Sequence, residues 1–229
     1  MRINSVFYSI LITGILIIFT VNIAKSQGNS LSSNTVTDKD GNVYHTFTIG
    51  AQTWMVENLK TTKYADGTKI NYTKGNTDWN NLTTPAYCWY NSDIAWKNTY
   101  GALYNWYAVN TAKLCPTNWH VPTDTEWTIM TSYLGGENVS GGKLKETGNS
   151  HWISSNLGAT NESGFSALPG GNRIFNGAFD YEGVRGTYWT STEFDSRTAW
   201  QRVMYCNYAD VSRSNYYKRF GFSVRCLKD

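Results

Sequence analysis

The clearest helical pattern of the chain begins at Thr123. Thr123 is a preferred N-cap residue, and Glu126 three positions later completes a capping box. Large apolar residues then recur at helical spacing, namely Trp127, Met130, Tyr133 and Leu134. Gly135 and Gly136 follow and supply a left-handed C-terminal stop. This pattern predicts a capped amphipathic helix, the best-defined element of the chain.

Runs of β-branched and aromatic residues predict strands on both sides of that helix. Residues 43–49 and 53–56 follow a turn at 38–42 and are predicted as early strands. Three more strands are predicted near the end, over residues 187–193, 199–206 and 220–227. The last one alternates strictly, with its apolar face formed by Phe220, Phe222, Val224 and Cys226. Such alternation predicts a strand with one buried side, so Cys226 is expected to point inward.

The remaining segments predict a β-rich domain with long loops. A second helix is predicted over residues 101–109, where Leu103, Trp106 and Tyr107 have helical spacing, and a helical turn over 143–145. Residues 71–98 are polar and aromatic without periodicity, which predicts a long ordered excursion on the surface. Residues 149–172 are rich in Gly, Ser and Asn and predict a further loop.

The first 26 residues have the pattern of a secretory signal. Arg2 precedes an almost wholly apolar run over residues 6–23, and residues 24–26 fit a small-x-small cleavage site. The alternative is an uncleaved anchor, because the run is near the length of about 18 residues that spans a membrane. Residues 27–36 then read as a linker, and residues 37–229 as the domain. We expect export, to the medium, the periplasm or the cell surface.

Charge excludes two classes of partner for that domain. The chain has 20 basic residues, two of them in the predicted signal, against 17 acidic ones. A nearly neutral domain lacks the electrostatic footprint that nucleic acid or an anionic membrane surface requires. Aromatic residues are abundant instead, with 10 Trp, 16 Tyr and 9 Phe.

Four cysteines, Cys88, Cys115, Cys206 and Cys226, bear on covalent structure and on metals. In an oxidising compartment an even number favours disulfides, and four cysteines allow three connectivities. The turn at 38–42 resembles the start of a calcium loop, but Ile49 stands where that loop needs its glutamate. No zinc spacing occurs either. We therefore expect no metal and no cofactor.

Six ordered motifs resemble one bacterial family, the Fibrobacter succinogenes major paralogous domain. They are I-G-x-Q-x-W-M-x-E-N-L at 49–59, Y-G-A-L-Y-N-W-Y at 100–107, C-P-x-x-W-H-V-P-T-D-x-E-W at 115–127, N-E-S-G-F-S-A-L-P-G-G at 161–171, W-T-S-T-E at 189–193 and G-F-S-V-R-C at 221–226. The resemblance spans essentially all of residues 37–229.

A weaker resemblance reaches the formylglycine-generating enzymes and the C-type lectin-like fold. It is carried by P-T-D-x-E-W at 122–127 and G-F-S-V-R at 221–225. It implies an α+β, C-type lectin-like fold, with two helices, a twisted antiparallel sheet and a long loop region. Such a fold joins its terminal strands and often carries a helix-to-last-strand disulfide. The resemblance thus implies a Cys115–Cys226 bridge, and leaves Cys88–Cys206 as the second.

The residues give little support to the enzymatic functions that this resemblance implies. The copper chemistry of the related enzymes uses two neighbouring thiolates late in the chain, where only Cys206 is available. Residues around Pro169 lack the oxygen ligands of a calcium-dependent lectin site. His45, His120 and His151 are scattered, without a nucleophile motif. A carboxylate pair for glycoside hydrolysis stays open, because Asp and Glu are plentiful.

Surface aromatics favour recognition instead. Tyrosine and asparagine suit recognition loops, because they combine stiff contact area with adaptable hydrogen bonding. The candidate ligand-binding residues are Tyr205, Asn207, Tyr208, Asn215, Tyr216 and Tyr217 between the last two strands, with Trp89 and Tyr90 upstream. The competing interpretation is that these aromatics cover a loop-rich core.

The favoured hypothesis is an exported, non-catalytic recognition or adhesion module for an unknown protein or glycan. The alternatives are a distant formylglycine-generating-type or glycan-modifying enzyme, and a structural cell-surface domain.

Overall fold

The computed structural model describes residues 34–229. The predicted signal segment and residues 27–33 of the predicted linker lie outside the described residues. Within residues 34–229, no helix has both the length and the apolar character needed to cross a membrane.

Short strands outnumber helices in the described part of the chain. The strands are β1 Thr35–Thr37, β2 Val43–Ile49, β3 Gln52–Met55, β4 Asn71–Tyr72, β5 Ala86–Cys88, β6 Leu103–Tyr104, β7 Trp119–His120, β8 Gly170–Arg173, β9 Phe179–Glu182, β10 Arg185–Glu193, β11 Thr198–Tyr205, β12 Ser212–Tyr217 and β13 Leu227–Lys228. The helices are α1 Asn76–Asn80, α2 Lys97–Tyr100, α3 Trp106–Val109, α4 Asp124–Tyr133 and α5 Glu137–Leu144, with 3₁₀ turns at Tyr90–Ser92 and Ile94–Trp96.

These strands form three sheets rather than the single antiparallel sheet expected. One five-stranded sheet has the order β1-β2-β3-β13-β7 and joins the first described strand to the last. A second has the order β12-β11-β10-β8-β9, with β10 and β8 parallel. A third sheet, β4-β5-β6, contains the parallel pair β4–β5. The mixed α+β class is confirmed, with more sheet and smaller helices than predicted.

The predicted capped helix is confirmed as α4. The Thr123 hydroxyl accepts from the Glu126 amide at 3.2 Å, and the Thr123 amide donates to the Glu126 carboxylate at 2.7 Å. Three of its four apolar residues are buried, whereas Tyr133 is exposed. The φ angles of Gly135 and Gly136 are both +101°, as a left-handed stop requires.

The second predicted helix, over residues 101–109, is mostly wrong. Only α3 is helical, with the Asn105 side chain as its N-cap. Leu103 and Tyr104 pair with β5 instead, and Tyr104 bridges to Phe222. Tertiary pairing here overrides helical spacing. The predicted turn at 143–145 is, by contrast, the end of the longer helix α5.

The last predicted strand is also corrected. Only Leu227 and Lys228 join a ladder, while residues 221–223 make isolated bridges to β8, β10 and β6. Cys226 is buried as expected, but Ser223 and Arg225 on the other side are buried too. The alternation therefore marked an extended segment enclosed on both sides, between the β4-β5-β6 sheet and the larger sheet that contains β10.

Residues 71–98 do not form the surface excursion that was predicted. They contain β4, α1 and β5, and Trp79 in α1 has no exposed surface. Tyr87, Trp89 and Tyr90 are buried as well. Most aromatic residues of this segment anchor it to the protein, and most of its polar residues face solvent.

The Cys115–Cys226 disulfide is confirmed, with a Cα–Cα distance of 6.0 Å. A bridge across 111 positions stabilises the fold by about 4–5 kcal/mol in the chain-entropy model. The second predicted bridge is wrong, because Cys88 and Cys206 are free and buried in different apolar clusters. Burial raises the pKa of the Cys88 thiol to about 12, which makes it unreactive at neutral pH.

We therefore predict two protected thiols in the native protein. A thiol-alkylating reagent should label neither Cys88 nor Cys206 at pH 8, since both are buried. After unfolding in denaturant without reductant, both should be labelled. Peptide mapping under non-reducing conditions should then pair Cys115 with Cys226, and a Cys88–Cys206 peptide would contradict the structure.

Helix α5 contains a buried glycine pair that lets two loops approach its backbone. A Cβ on Gly141 would lie 2.0 Å from the Asp210 carbonyl oxygen, and one on Gly142 would lie 2.3 Å from that of Gly158. Glycine inside a helix lowers helix stability. Here close packing against residues 158 and 209–210 explains its presence.

Gly141→Ala is accordingly expected to destabilise the protein, although alanine is the better helix former. Because the clash is with backbone, overpacking should lower the unfolding free energy by about 1–3 kcal/mol. Chemical denaturation of Gly141→Ala and of the exposed control Asn138→Ala in the same helix measures this. Equal stability of the two variants would contradict the proposed packing role.

Candidate functional site

A buried arginine fixes the segment that carries the candidate site. Arg173, at the end of β8, has no exposed surface, and its guanidinium lies over the rings of Trp79 and Phe179. It donates to four oxygens of segment 73–76, namely the carbonyls of Thr73 (2.6 Å), Lys74 (2.8 Å) and Gly75 (3.1 Å) and the Asn76 side chain (3.1 Å). These bonds hold the chain just after β4 in one position.

Next to this segment, three aromatic side chains line an open cleft. Tyr72 and Tyr87 are cross-strand partners in the parallel pair β4–β5, with ring centroids 5.4 Å apart. Trp89 is two residues after Tyr87, so the two side chains lie on the same face of the chain. Their ring centroids are 5.3 Å apart. Tyr72 is 40% exposed, whereas Tyr87 and Trp89 are buried. Hereafter this is the aromatic cleft.

Polar side chains form the rim of the aromatic cleft. Lys74, Asn91 and Asp93 lie around it, and the volume of the cleft is about 670 Å³. This volume is within the range of small-ligand sites, about 300–1,000 Å³. Lysine, asparagine and aspartate together offer both hydrogen-bond donors and acceptors.

The rim also contains strained backbone. Asn91 and Ser92 are consecutive non-glycine residues with left-handed φ angles of 50° and 54°. The Ser92 hydroxyl donates to the Lys74 carbonyl, and the Tyr72 hydroxyl donates to the Ser92 carbonyl, both at 3.2 Å. Backbone strain of this kind clusters at ligand-binding sites and persists only when its surroundings hold it.

The phenols of the aromatic cleft are neutral at physiological pH. Burial raises the pKa of Tyr72, and it raises the pKa of Tyr87 as well. Neutral phenols both donate and accept hydrogen bonds. The arrangement therefore suits a ligand with an apolar face and many hydroxyl groups, because the face can stack on aromatic rings while the hydroxyls bond to the rim.

The histidines, in contrast, make separate contacts with carboxylates near the surface. His45 contacts Glu57 at 2.6 Å, and His151 contacts Glu146 at 2.8 Å. His120 lies between Asp229 (2.6 Å) and the capping-box Glu126 (3.0 Å), so it ties the start of α4 to the end of the chain. Among the described residues, no group of three or more His, Cys, Asp or Glu side chains is placed to hold a metal ion.

The eight predicted ligand-binding residues do not come together. Trp89 lines the aromatic cleft, whereas Tyr90 next to it is buried against Phe179 and Trp96. Sequence reasoning missed Tyr72, Tyr87 and Asn91. Alternation within 87–89 was the available signal for Tyr87, but the β4–β5 pairing that brings in Tyr72 has no local signature.

Tyr205, Asn207 and Tyr208 lie at the turn after β11. Asn207 and Tyr208 are exposed. The buried Lys145 donates to the carbonyl oxygens of Tyr205 (2.9 Å) and Tyr208 (2.8 Å) and fixes this turn. Asn207 and Tyr208 are therefore presented on a turn that the buried lysine holds in place.

Asn215, Tyr216 and Tyr217 lie on the edge strand β12, not on the loop that was predicted. Tyr216 packs its ring on Phe220 and Phe222 in the core. Asn215 and Tyr217 are on the opposite face of the strand. Tyr217 lines a groove that is separate from the aromatic cleft.

The family model of the Fibrobacter succinogenes major domain matches residues 47–228. The chain belongs to this family. Comparisons with curated proteins and with solved structures gave no match.

Replacing Arg173 should loosen the aromatic cleft. In Arg173→Lys the charge remains, but a lysine cannot reproduce four hydrogen bonds in a planar fork. We expect faster hydrogen exchange over residues 71–93 and a loss of about 2–4 kcal/mol in unfolding free energy. Hydrogen–deuterium exchange with mass spectrometry measures the first, with the exposed Arg197→Lys as control. Unchanged exchange over residues 71–93 would contradict the role of Arg173.

Proposed function

We propose that this domain is a non-catalytic recognition module that binds a glycan in the aromatic cleft. We further propose that it is exported and that its scaffold is C-type lectin-like. The motif resemblance supports the scaffold, and the signal-like pattern of residues 1–26 supports export.

The observation that carries the proposal is the composition and placement of the aromatic cleft. Tyr72 supplies the exposed ring face, Tyr87 and Trp89 form the floor beneath it, and Asn91 and Asp93 supply hydrogen bonds at the rim. The left-handed backbone at Asn91 fixes the rim before any ligand arrives. A pre-formed rim reduces the entropy lost on binding.

A glycan fits this cleft better than a protein surface does. Protein interfaces centre on large, protruding anchors and bury about 800 Å² on each partner. Here the aromatic side chains are recessed, since Tyr87 and Trp89 are 7% and 4% exposed. Tyr72 is the one ring of the three with an open face, and a single ring face suits one sugar ring rather than a broad protein surface.

The enzymatic alternative has less support. Copper chemistry of the formylglycine-generating type would need two adjacent thiolates. Cys88 and Cys206 lie in different apolar clusters, and burial raises the pKa of Cys88. The structural cell-surface alternative predicts no soluble ligand, so a binding experiment separates it from the proposal.

A glycan array probed with the purified protein, followed by calorimetry on each hit, tests the proposal. We expect binding to neutral oligosaccharides and a weakening of about tenfold in Tyr72→Ala, because a stacking contact is lost. Asn91→Gly should also weaken binding, since it removes the amide but keeps the left-handed backbone.

Tyr133→Ala is the matched control, because Tyr133 is an exposed tyrosine on α4 outside the cleft. Its affinity should equal that of the wild type. The proposal would be contradicted if no glycan on the array bound at tens of micromolar protein, or if Tyr72→Ala bound with wild-type affinity.

A further inference from the structure

A second groove, distinct from the aromatic cleft, combines aromatic and basic side chains. It lies between the β8–β9 turn, the β10–β11 turn and the end of β12, and its volume is about 480 Å³. The groove residues that bear on its chemistry are Tyr107, Phe175, Tyr217, Arg197, Lys218 and Arg219. Thr83 and Ser196 complete the lining, so the described lining contains three cations and no acid. Hereafter this is the basic groove.

Lys218 is a structural cation in the basic groove. Its side chain is buried, and its ammonium contacts the Glu193 carboxylate and lies 4.8 Å from the centre of the Trp106 ring. It also donates to the Ser196 carbonyl at 3.0 Å, which fixes the β10–β11 turn. Lys218 therefore positions the wall of the groove, and Glu193 compensates its charge.

Arg197 and Arg219 form no ion pair with a carboxylate among residues 34–229, and the charge of Arg197 acts on Asp195 only at longer range. Arg219 donates a hydrogen bond from Nη1 to the Asn80 carbonyl oxygen, at 2.6 Å. Arg197 is exposed, and its guanidinium has no hydrogen-bond or ion-pair partner among residues 34–229. The nearby Asp195 carboxylate instead accepts the backbone amides of Arg197 (2.8 Å) and Thr198 (2.7 Å). The guanidinium of Arg197 can therefore donate paired hydrogen bonds to a ligand.

Two exposed aromatic rings stand beside these charges. Phe175 and Tyr217 are 42% and 46% exposed, and their ring centroids are 6.3 Å apart. Phe175 rests on Phe220, so its position is fixed from below. A guanidinium beside an aromatic platform matches a ring that carries an anionic group.

We propose that the basic groove binds an acidic sugar, a saccharide ring that carries a carboxylate or a sulfate. Arg197 and Arg219 take the anionic group through charge-assisted hydrogen bonds, and Phe175 and Tyr217 take the face of the ring. This site is independent of the glycan site proposed above, and it remains if the aromatic cleft binds nothing.

Calorimetry of the purified full-length protein with three probes tests this site. The probes are tetragalacturonate, its fully methyl-esterified neutral form, and a sulfated tetrasaccharide of similar length. We expect the uronate, the sulfated sugar or both to bind, with the methyl ester at least about tenfold weaker and with affinity falling as salt rises. Which acid binds identifies the anionic group.

Variants separate the two sites. Arg197→Gln and Tyr217→Ala should each weaken acid binding by about tenfold or more, whereas Lys39→Gln, which removes an exposed cation elsewhere, should not. Tyr72→Ala in the aromatic cleft should leave acid binding unchanged. Equal affinity for the acid and its ester, no effect of Arg197→Gln, or no binding of either acid at millimolar concentration would overturn the proposal.

Discussion

The fold depends on burying arginine side chains whose hydrogen bonds are supplied by segments distant in the chain. Arg173, Arg202 and Arg225 have almost no exposed surface. A guanidinium out of water is costly unless its N–H groups find acceptors. Arg225 donates hydrogen bonds to the Ser166 carbonyl at 3.0 Å and to the Asn58 side chain at 2.9 Å, and also to the Phe165 carbonyl. Residues far apart in the chain are thereby held at one point.

Each buried arginine organises a different part of the molecule. Arg202 on β11 bonds to Asp124 and Glu137, at the N-termini of α4 and α5, where negative charge also suits the helix dipole. Arg173 fixes the segment that carries the aromatic cleft. Several strands have only two to four residues, so these arginines add links between segments that the longer ladders do not join.

Local features of the fold could be predicted from the sequence, and features that depend on distant partners could not. Helix α4 was predictable because its cap, apolar face and stop lie within 14 residues. The strand pattern at 220–227 showed extension but not burial on both sides, because periodicity carries no information about what packs on the polar face. In the candidate site, composition pointed to Trp89. Tyr72 joins it only through a pairing across 15 residues, and Arg173 acts from 100 residues away.

The Cys115–Cys226 bridge divides the chain in a way that matters under mechanical load. Tension applied between residue 34 and the C-terminus would run along residues 34–115, cross the sulfur–sulfur bond and leave through the last three residues. The covalent path bypasses the enclosed loop, with α4, α5, the sheet β12-β11-β10-β8-β9 and most of the basic groove, and this loop is loaded only through non-covalent contacts such as the β13–β7 pairing. The aromatic cleft lies on the stretched path and is tied to the enclosed loop by Arg173 and by the bonds of Trp79 and Asn80 to Arg219. Because β1 and β13 lie at the two ends of the path in one sheet, that sheet resists the load first, and the disulfide limits how far the enclosed loop can be extended.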